Sequence, residues 1–332
     1  MKKAVFSFFG VSLFLAAVVV SYTLWKDPYC NNCKEIDLQR HTVNSYYDVA
    51  QILKANPDAE VVIVGTSRGQ GFSPKKLGQV LNKKVLNLSV SGSGVEAKIA
   101  FIELAKKMIP LKLVIWQADY FEILGDNRDS QLHAMKLYAQ DRRWSFSSVK
   151  TLLLQSLDHT NFEAAVTVGR QPFHADSLKL GYGSDLSDKC FVDSYVGKRS
   201  EEELRKQVQL LYHNYTRRVF APQESSWKKD LMRQYLSQDI GVDVIVAFVP
   251  YHPNFTKEMA KEFPVLTQAH LDWMDDLQRA TGKVQSFMNS VPEDDGSAKY
   301  WDDGTHFTCY TSHLISERMI SKWQNPDDRK IH

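Results

Sequence analysis

The sequence is short of cysteine, with four in 332 residues, and it has no excess of one charge, with 41 Lys and Arg against 39 Asp and Glu. Four cysteines are too few for the disulfide framework of a small secreted domain. The balanced charge argues against a dedicated nucleic-acid binder, which usually carries a strong basic excess. No repeat of fixed period and no low-complexity tract interrupts the chain, so we expect a globular protein with a sizeable core.

The first residues form a separate segment. An uncharged run from Ala4 to Trp25 follows Lys2 and Lys3, and its length is about the 20 residues that a bilayer-spanning helix needs. A cleaved signal peptide and an uncleaved signal-anchor both fit, and we favour the anchor because an A-x-A cleavage site is absent. The expected protein is single-pass in a bacterial inner membrane, with its globular part in the periplasm or outside. It is secreted if the N-terminus is cleaved.

The cysteines leave their pairing open. Cys30 and Cys33 form a C-x-x-C, which can be a redox site, half of a zinc site or a small structural disulfide. A structural role is favoured, because the motif precedes every predicted strand and because Cys190 and Cys309 are not closely spaced enough to complete a zinc site.

Short β-branched runs alternate with helical patterns along the rest of the chain. A helix is predicted from Val95 to Ile109, where Pro110 stops it, and a final helix is predicted from Thr311 to Trp323. Strands are predicted over residues 60–65, 84–89, 112–117 and 242–249. This alternation predicts an α/β fold with a mainly parallel sheet and helices on both faces. Functional residues are then expected at the carboxyl ends of the strands.

Three segments are expected in the domain organisation. Residues 1–26 are the signal-anchor, 27–58 a linker with a first helix, and 59–325 the α/β domain. A mostly helical insertion of about 126–235 separates the third strand from the fourth. It is expected to overhang the cleft at the carboxyl ends of the strands. Within it, Ser200 and Glu203 have the spacing of a helix-capping box.

A candidate nucleophile follows the first strand. Gly65-Thr66-Ser67-Arg68-Gly69 matches G-x-S-x-G, the turn that lifts a reactive serine above the edge of a sheet. The alternative is an ordinary glycine-rich turn whose serine caps a helix.

A candidate base lies near the C-terminus. Asp303 and His306 are spaced D-x-x-H, so one turn can carry both a general base and the carboxylate that orients it. The alternative is that His306 only packs or caps the loop before the last helix.

Four segments together resemble the SGNH/GDSL hydrolase superfamily. They are the Gly65-Thr66-Ser67 turn, the Asn87–Gly92 segment, the Trp116–Phe121 segment and the Asp303–His306 loop. The resemblance implies a three-layer, flavodoxin-like α/β domain. It implies Ser67 as nucleophile, His306 as base and Asp303 as its orienter.

The same resemblance implies an oxyanion hole built from the backbone N–H groups of Ser67 and Gly92. The family's third block supplies an asparagine to this hole, and the chain has none there. Asp119 stands nearest to it, and an ionised Asp cannot donate. Gln117, a backbone group or a protonated Asp119 would have to serve.

More narrowly, the chain resembles membrane-anchored bacterial envelope proteins of alginate O-acetylation and teichoic-acid D-alanylation. The resemblance implies an esterase or O-acyltransferase that acts on an acylated envelope or extracellular polysaccharide, with a membrane acyl-donor protein as a further partner. A non-catalytic periplasmic carbohydrate-binding or assembly protein on the same scaffold is the alternative.

The remaining candidates concern binding. Arg68 and His252 are candidate substrate-binding residues, since one adjoins the proposed nucleophile and the other follows the fourth strand. A surface ion pair and an ordinary loop position are their alternatives. No G-x-G-x-x-G is complete and no histidines have metal-ligand spacing, so neither a cofactor nor a metal is expected.

Overall fold

The computed structural model describes most of the chain outside one long central stretch. The described residues are 2–26, 36, 45–123, 163, 165–166, 200–218, 225–288 and 296–324. They belong to two compact units. The first unit comprises Met1–Gln51 with Ser130–Asp176, and the second comprises Ile52–Asp129 with Ser177–His332.

The first unit contains helix α1, Lys2–Lys26, and most of α2, Ser45–Ala55, which continues into the second unit. Several large apolar side chains of α1 are exposed, among them Val11, Leu13 and Phe14. A search of the described residues finds no helix with the length and apolar character needed to cross a membrane. The membrane-spanning assignment of residues 1–26 stays a prediction.

The second unit is built on a five-stranded sheet. Its strands are β1 Val61–Val64, β2 Val85–Asn87, β3 Leu113–Ala118, β4 Asp243–Phe248 and β5 Val284–Ser286. All neighbours pair in parallel, in the order β2-β1-β3-β4-β5. The predicted α/β fold with a parallel sheet is therefore confirmed. The first four strands lie where the apolar runs predict them, and β5 was not predicted.

Seven helices are described around this sheet. They are α3 Pro74–Leu81, α4 Val95–Met108, α5 Glu201–Arg218, α6 Ser226–Ser237, α7 Pro253–Glu262, α8 Pro264–Thr281 and α9 Cys309–Gln324. The predicted capping box at the start of α5 is confirmed. The backbone N–H of Ser200 donates to Glu203 Oε2 at 2.8 Å, and the N–H of Glu203 donates to Ser200 Oγ at 3.3 Å.

Helices cover both faces of the sheet. On one face, Ile63, Ile115 and Ala247 belong to a single apolar cluster with residues of α3, α5, α7 and α9. On the other face, the ring centroids of Trp116 and Tyr235 on α6 lie 6.4 Å apart. The ring centroids of Phe248 and Trp273 on α8 lie 5.1 Å apart. This alternation along β3 and β4 buries both faces, as a parallel sheet requires.

Parts of the predicted organisation fall outside the described residues. Of the insertion at about 126–235, the structure describes little beyond α5 and α6, and the loop at 168–198 is outside it. Cys30, Cys33 and Cys190 are outside it too. Cys309, the first residue of α9, is disulfide-bonded.

Candidate active site

The site lies where two neighbouring strands end at the carboxyl edge of the sheet. Val64 of β1 pairs with Trp116 of β3, so the turn after β1 starts beside Gln117. The chain connects β1 onward to β2 on one side, while β3 lies on the other side. In open α/β sheets this reversal of strand order creates the crevice in which ligands bind.

Two glycines let the turn after β1 pack closely against its surroundings. A Cβ on Gly65 would lie 2.9 Å from Gln117 Oε1 and 2.9 Å from the Cα of Gly69. A Cβ on Gly69 would lie 2.5 Å from Ser89 Oγ. The G-x-S-x-G spacing is thus explained by packing, because side chains at either glycine would push the Ser67 turn away from its neighbours.

A glutamine holds the same turn from the side of β3. Gln117 Oε1 accepts hydrogen bonds from the backbone N–H of Thr66 at 3.0 Å and lies 3.2 Å from Thr66 Oγ1. Thr66 Oγ1 in turn accepts from the N–H of Arg68 at 3.3 Å. Ser67 is therefore flanked on both sides by residues in a buried hydrogen-bond network.

The loop of His306 is held as a small hairpin. Trp301 and Phe307 form an antiparallel bridge, and the N–H of Thr308 donates to the carbonyl oxygen of Tyr300 at 2.9 Å. Inside this hairpin, Asp303 Oδ1 accepts from the N–H of Thr305 at 2.7 Å and from that of His306 at 2.8 Å. The D-x-x-H spacing thus closes a turn on the aspartate side chain, which directs both side chains to the same side.

The structure brings Ser67, His306 and Asp303 together. His306 Nδ1 lies 2.8 Å from Asp303 Oδ2, and His306 Nε2 lies 2.8 Å from Ser67 Oγ. An ionised carboxylate can only accept, so Nδ1 carries the proton and Nε2 is left to accept from the serine hydroxyl. All three residues are partly exposed, which leaves the serine accessible to a substrate.

The charge of the carboxylate is secured by its surroundings. Burial acts to raise the pKa of Asp303, but the hydrogen bonds from His306 and from the backbone N–H of Thr305 lower it more. The resulting pKa is about 2, against an ordinary 3.8. Asp303 is therefore ionised across the neutral range, as the orientation of His306 requires.

The segment after β2 runs alongside the Ser67 turn. Asn87 Nδ2 donates to the carbonyl oxygen of Gly69 at 3.0 Å, and the N–H of Val90 donates to that of Gly65 at 2.9 Å. Gly92 follows in an exposed turn with a φ of +73°, a conformation that favours glycine. Within the described residues, the N–H groups of Ser67 and Gly92 donate to no protein acceptor.

The structure corrects the predicted oxyanion roles of Gln117 and Asp119. Gln117 is fully buried, and its Nε2 donates to the carbonyl oxygen of Ala118 at 2.9 Å while its oxygen holds Thr66. Asp119 is also buried, and its carboxylate accepts from Tyr251 Oη at 2.5 Å and from Thr66 Oγ1 at 3.1 Å. Both side chains therefore contribute hydrogen bonds to the scaffold, and within the described residues neither is hydrogen-bonded to Ser67.

Arg68 also departs from its predicted role in binding a substrate anion. Its side chain is only 3% exposed, and its Nη1 lies 3.5 Å from Asp119 Oδ2. The remaining guanidinium donors point to backbone carbonyl oxygens, among them that of Thr305 at 2.9 Å from Nε. A guanidinium committed in this way is part of the protein interior.

His252 is likewise structural. It is buried and caps helix α7, where its Nδ1 accepts from the N–H of Asn254 at 3.1 Å. Its Nε2 lies 2.9 Å from the carbonyl oxygen of Gly296. The alternative of an ordinary loop position is closer to this placement than the predicted substrate contact.

Several residues of the site were missed in the sequence. Thr305 Oγ1 lies 3.1 Å from both Asp303 Oδ1 and His306 Nδ1, and Ser93 Oγ donates to the carbonyl oxygen of Gly65 at 2.8 Å. Thr305 could have been found, because a hydroxyl inside a D-x-x-H turn is within reach of both partners. Nothing local to Ser93 or Tyr251 indicates their contacts, which join segments far apart in the chain.

Comparison with known proteins assigns no family. No protein-family model matches the sequence, and no curated protein matches it. One similar solved structure is that of a provisionally assigned platelet activating factor from Streptococcus pneumonia. It has 8% identity and a TM-score of 0.38, and the match covers 84% of this chain and 92% of that one. Similarity at this level identifies neither a family nor an activity.

Proposed function

We propose that this protein is a serine-dependent ester hydrolase or O-acyltransferase. The observation that carries the proposal is the continuous chain of contacts from Asp303 through His306 to Ser67, with both distances at 2.8 Å. A histidine held by an ionised carboxylate and facing a serine hydroxyl is the arrangement that activates a serine nucleophile.

In the first half-reaction, Ser67 Oγ attacks the carbonyl carbon of an acyl ester while His306 Nε2 takes the hydroxyl proton. The tetrahedral intermediate then collapses, the bond to the leaving alcohol breaks, and His306 returns the proton to that alcohol. Asp303 stabilises the imidazolium that exists between these two transfers. The product is an acyl ester on Ser67 and a free hydroxyl on the departing group.

In the second half-reaction, a hydroxyl group attacks the acyl ester of Ser67 and gives its proton to His306. Collapse of the second intermediate breaks the bond to Ser67 Oγ, which recovers its proton from His306. Water as the attacking group makes the protein an esterase, and a sugar hydroxyl makes it an O-acyltransferase. Both reactions use the same residues, so the acceptor alone separates the two activities.

The negative charge of each intermediate is stabilised by the backbone N–H groups of Ser67 and Gly92 in this proposal. Two observations support this role. Neither N–H donates elsewhere within the described residues, and the 87–93 segment packs along the Ser67 turn. One such donor typically contributes about 3 kcal/mol to the stability of the transition state.

The SGNH resemblance extends the proposal to a substrate class and to a location. The substrate is an acylated envelope or extracellular polysaccharide, with a membrane acyl-donor protein as a partner in the transferase case. The disulfide at Cys309 supports an oxidising compartment such as the periplasm, since cytosolic thiols are kept reduced. A C-terminal alkaline phosphatase fusion in a bacterial host should then be active, and a cytoplasmic C-terminus would contradict this location.

Hydrolysis of a p-nitrophenyl ester tests the proposed activity. Ser67→Ala should reduce turnover to background, while the matched variant Ser91→Ala, at an exposed position of the neighbouring loop, should retain it. Equal turnover by the wild type and Ser67→Ala would refute the nucleophilic role of Ser67.

A second candidate function is a non-catalytic carbohydrate-binding or assembly protein. The observation in its favour is that Gln117 and Asp119 both hold other residues, so no side chain from the end of β3 donates toward Ser67. Binding of acylated polysaccharide that Ser67→Ala and His306→Ala leave unchanged, together with no ester turnover by the wild type, would favour this candidate.

A further inference from the structure

The guanidinium of Arg68 joins three segments of the site. Its Nε donates to the carbonyl oxygen of Thr305 at 2.9 Å, and its Nη2 donates to that of Val249 at 2.9 Å and to that of Pro250. Arg68 directly follows Ser67, and Thr305 directly precedes His306. One planar group therefore links the serine turn, the end of β4 and the histidine loop.

Asp119 and Tyr251 hold this guanidinium in place. Asp119 Oδ2 lies 3.5 Å from Arg68 Nη1, and the ring centroid of Tyr251 lies 3.7 Å from the guanidinium carbon. Tyr251 Oη donates to Asp119 Oδ1 at 2.5 Å, which closes the arrangement. Arg68 and Asp119 are both nearly completely buried. Because their side chains lie 3.5 Å apart, the charge of each is compensated by the other.

Only an arginine can make this set of contacts. Its donors lie in one rigid plane and point in several directions, whereas the single ammonium of a lysine sits on a flexible stem. The peptide carbonyl of Thr305 cannot move without moving the His306 backbone that follows it. The guanidinium therefore connects the residue that follows Ser67 to the peptide group that precedes His306.

We propose that Arg68 is a positioning residue that holds the His306 loop at reactive distance from Ser67, with Asp119 and Tyr251 fixing its guanidinium. This inference rests on the proposed function, because it assigns Arg68 to the same reaction. It also gives Asp119 a role at the position where the resemblance implies an oxyanion donor. A misplacement of reacting groups by about 1 Å costs on the order of 100-fold in rate.

The test compares Arg68→Lys and Tyr251→Phe with the wild type and with Leu77→Ala. Leu77 is a buried core residue of α3, and its truncation lowers stability while removing none of the hydrogen bonds of the site. The first measurement is the rate of Ser67 labelling by a serine-reactive fluorophosphonate, together with kcat and KM for a p-nitrophenyl ester. The second is the ¹⁵N NMR spectrum of the His306 ring, which reports its hydrogen bonds whether or not the protein turns over.

For Arg68→Lys we expect labelling and kcat to fall on the order of 100-fold with KM nearly unchanged, and the His306 ring signals to shift toward those of a free imidazole. Tyr251→Phe should show a smaller loss of the same kind. Leu77→Ala should label at the wild-type rate per folded molecule.

Two results would overturn the inference. Wild-type labelling rates and unchanged His306 signals in both site variants would show that Arg68 does not position the histidine, while the proposed function would stand. If the wild type itself fails to react, the proposed function fails. The His306 spectrum then decides the role of Arg68, and unchanged signals in Arg68→Lys would refute it.

Discussion

The hydroxyl of Ser93 donates to the carbonyl oxygen of Gly65 at 2.8 Å, which fastens the loop after β2 to the end of β1. Ser93 is 1% exposed, and the N–H of Ser93 also donates to the carbonyl oxygen of Val90 at 3.0 Å. The turn that contains Gly92 is thereby closed and anchored next to the turn that contains Ser67. The proposed oxyanion hole depends on this anchor.

Replacing Ser93 with alanine should lower kcat without an equal change in KM. The variant loses the bond to Gly65, so the Gly92 N–H is no longer held where the negative charge develops. Ester kinetics measure the effect, and Ser91→Ala is the control because Ser91 is exposed and lies two residues away. If both variants retain the wild-type kcat, Gly92 is not part of the oxyanion hole.

A methyl group at Gly65 should destabilise the protein. The added Cβ would lie 2.9 Å from the Cα of Gly69 and 3.0 Å from the Cβ of Gln117, so the buried turn must shift. We expect Gly65→Ala to lower the free energy of unfolding by about 1–3 kcal/mol, the usual cost of overpacking. Thermal unfolding is the measurement, and Gly94→Ala, where nothing lies within 4 Å of the added atom, should show a smaller change. Equal effects would contradict the packing account.

Lys98 Nζ lies 2.5 Å from Glu122 Oε2, and both side chains are fully buried. Lys98→Met leaves a buried carboxylate without its partner and should cost about 3–5 kcal/mol in urea unfolding. The double variant Lys98→Met with Glu122→Gln should cost less than Lys98→Met alone, because glutamine is neutral and can still accept from the N–H of Asp119. A double variant less stable than Lys98→Met would show that the two charges do not depend on each other.

The lowered pKa of Asp303 predicts a specific dependence of stability on pH. The folded state binds this proton more weakly than the unfolded state, with a pKa of about 2 against 3.8. The stability contributed by the carboxylate is therefore complete above about pH 4 and is lost as the pH falls toward the folded pKa, by on the order of 2 kcal/mol. Asp303→Asn should lose stability less steeply than the wild type across that interval in urea unfolding. Parallel curves would contradict the assignment.

Much of the fold could be predicted from local patterns. The apolar runs at 60–65 and 112–117 predict β1 and β3 to within a residue or two, because strands buried on both faces need continuous apolar sequence. β5 escaped prediction, since its three residues, Val284–Ser286, are too few to show a period and only the first is buried. Its place beside β4 is decided by tertiary pairing.

The site could be predicted in part. The spacings of G-x-S-x-G and D-x-x-H indicate Ser67, Asp303 and His306, because each motif is closed by contacts within a few residues. The structural roles of Arg68 and His252 could not be predicted from the residues next to them in the sequence. Arg68 reaches Thr305 across 237 positions, and sequence gives no sign of whether a charged side chain beside a serine turns inward. Burial of that kind depends on the complete fold.

The measurement that tests the central claim most directly is the mapping of a fluorophosphonate adduct by peptide mass spectrometry. We expect one adduct per folded molecule on Ser67, no adduct in Ser67→Ala, and labelling slowed by several orders of magnitude in His306→Ala. A wild-type protein that is folded and stays unlabelled at Ser67, or that labels equally fast without His306, would contradict it.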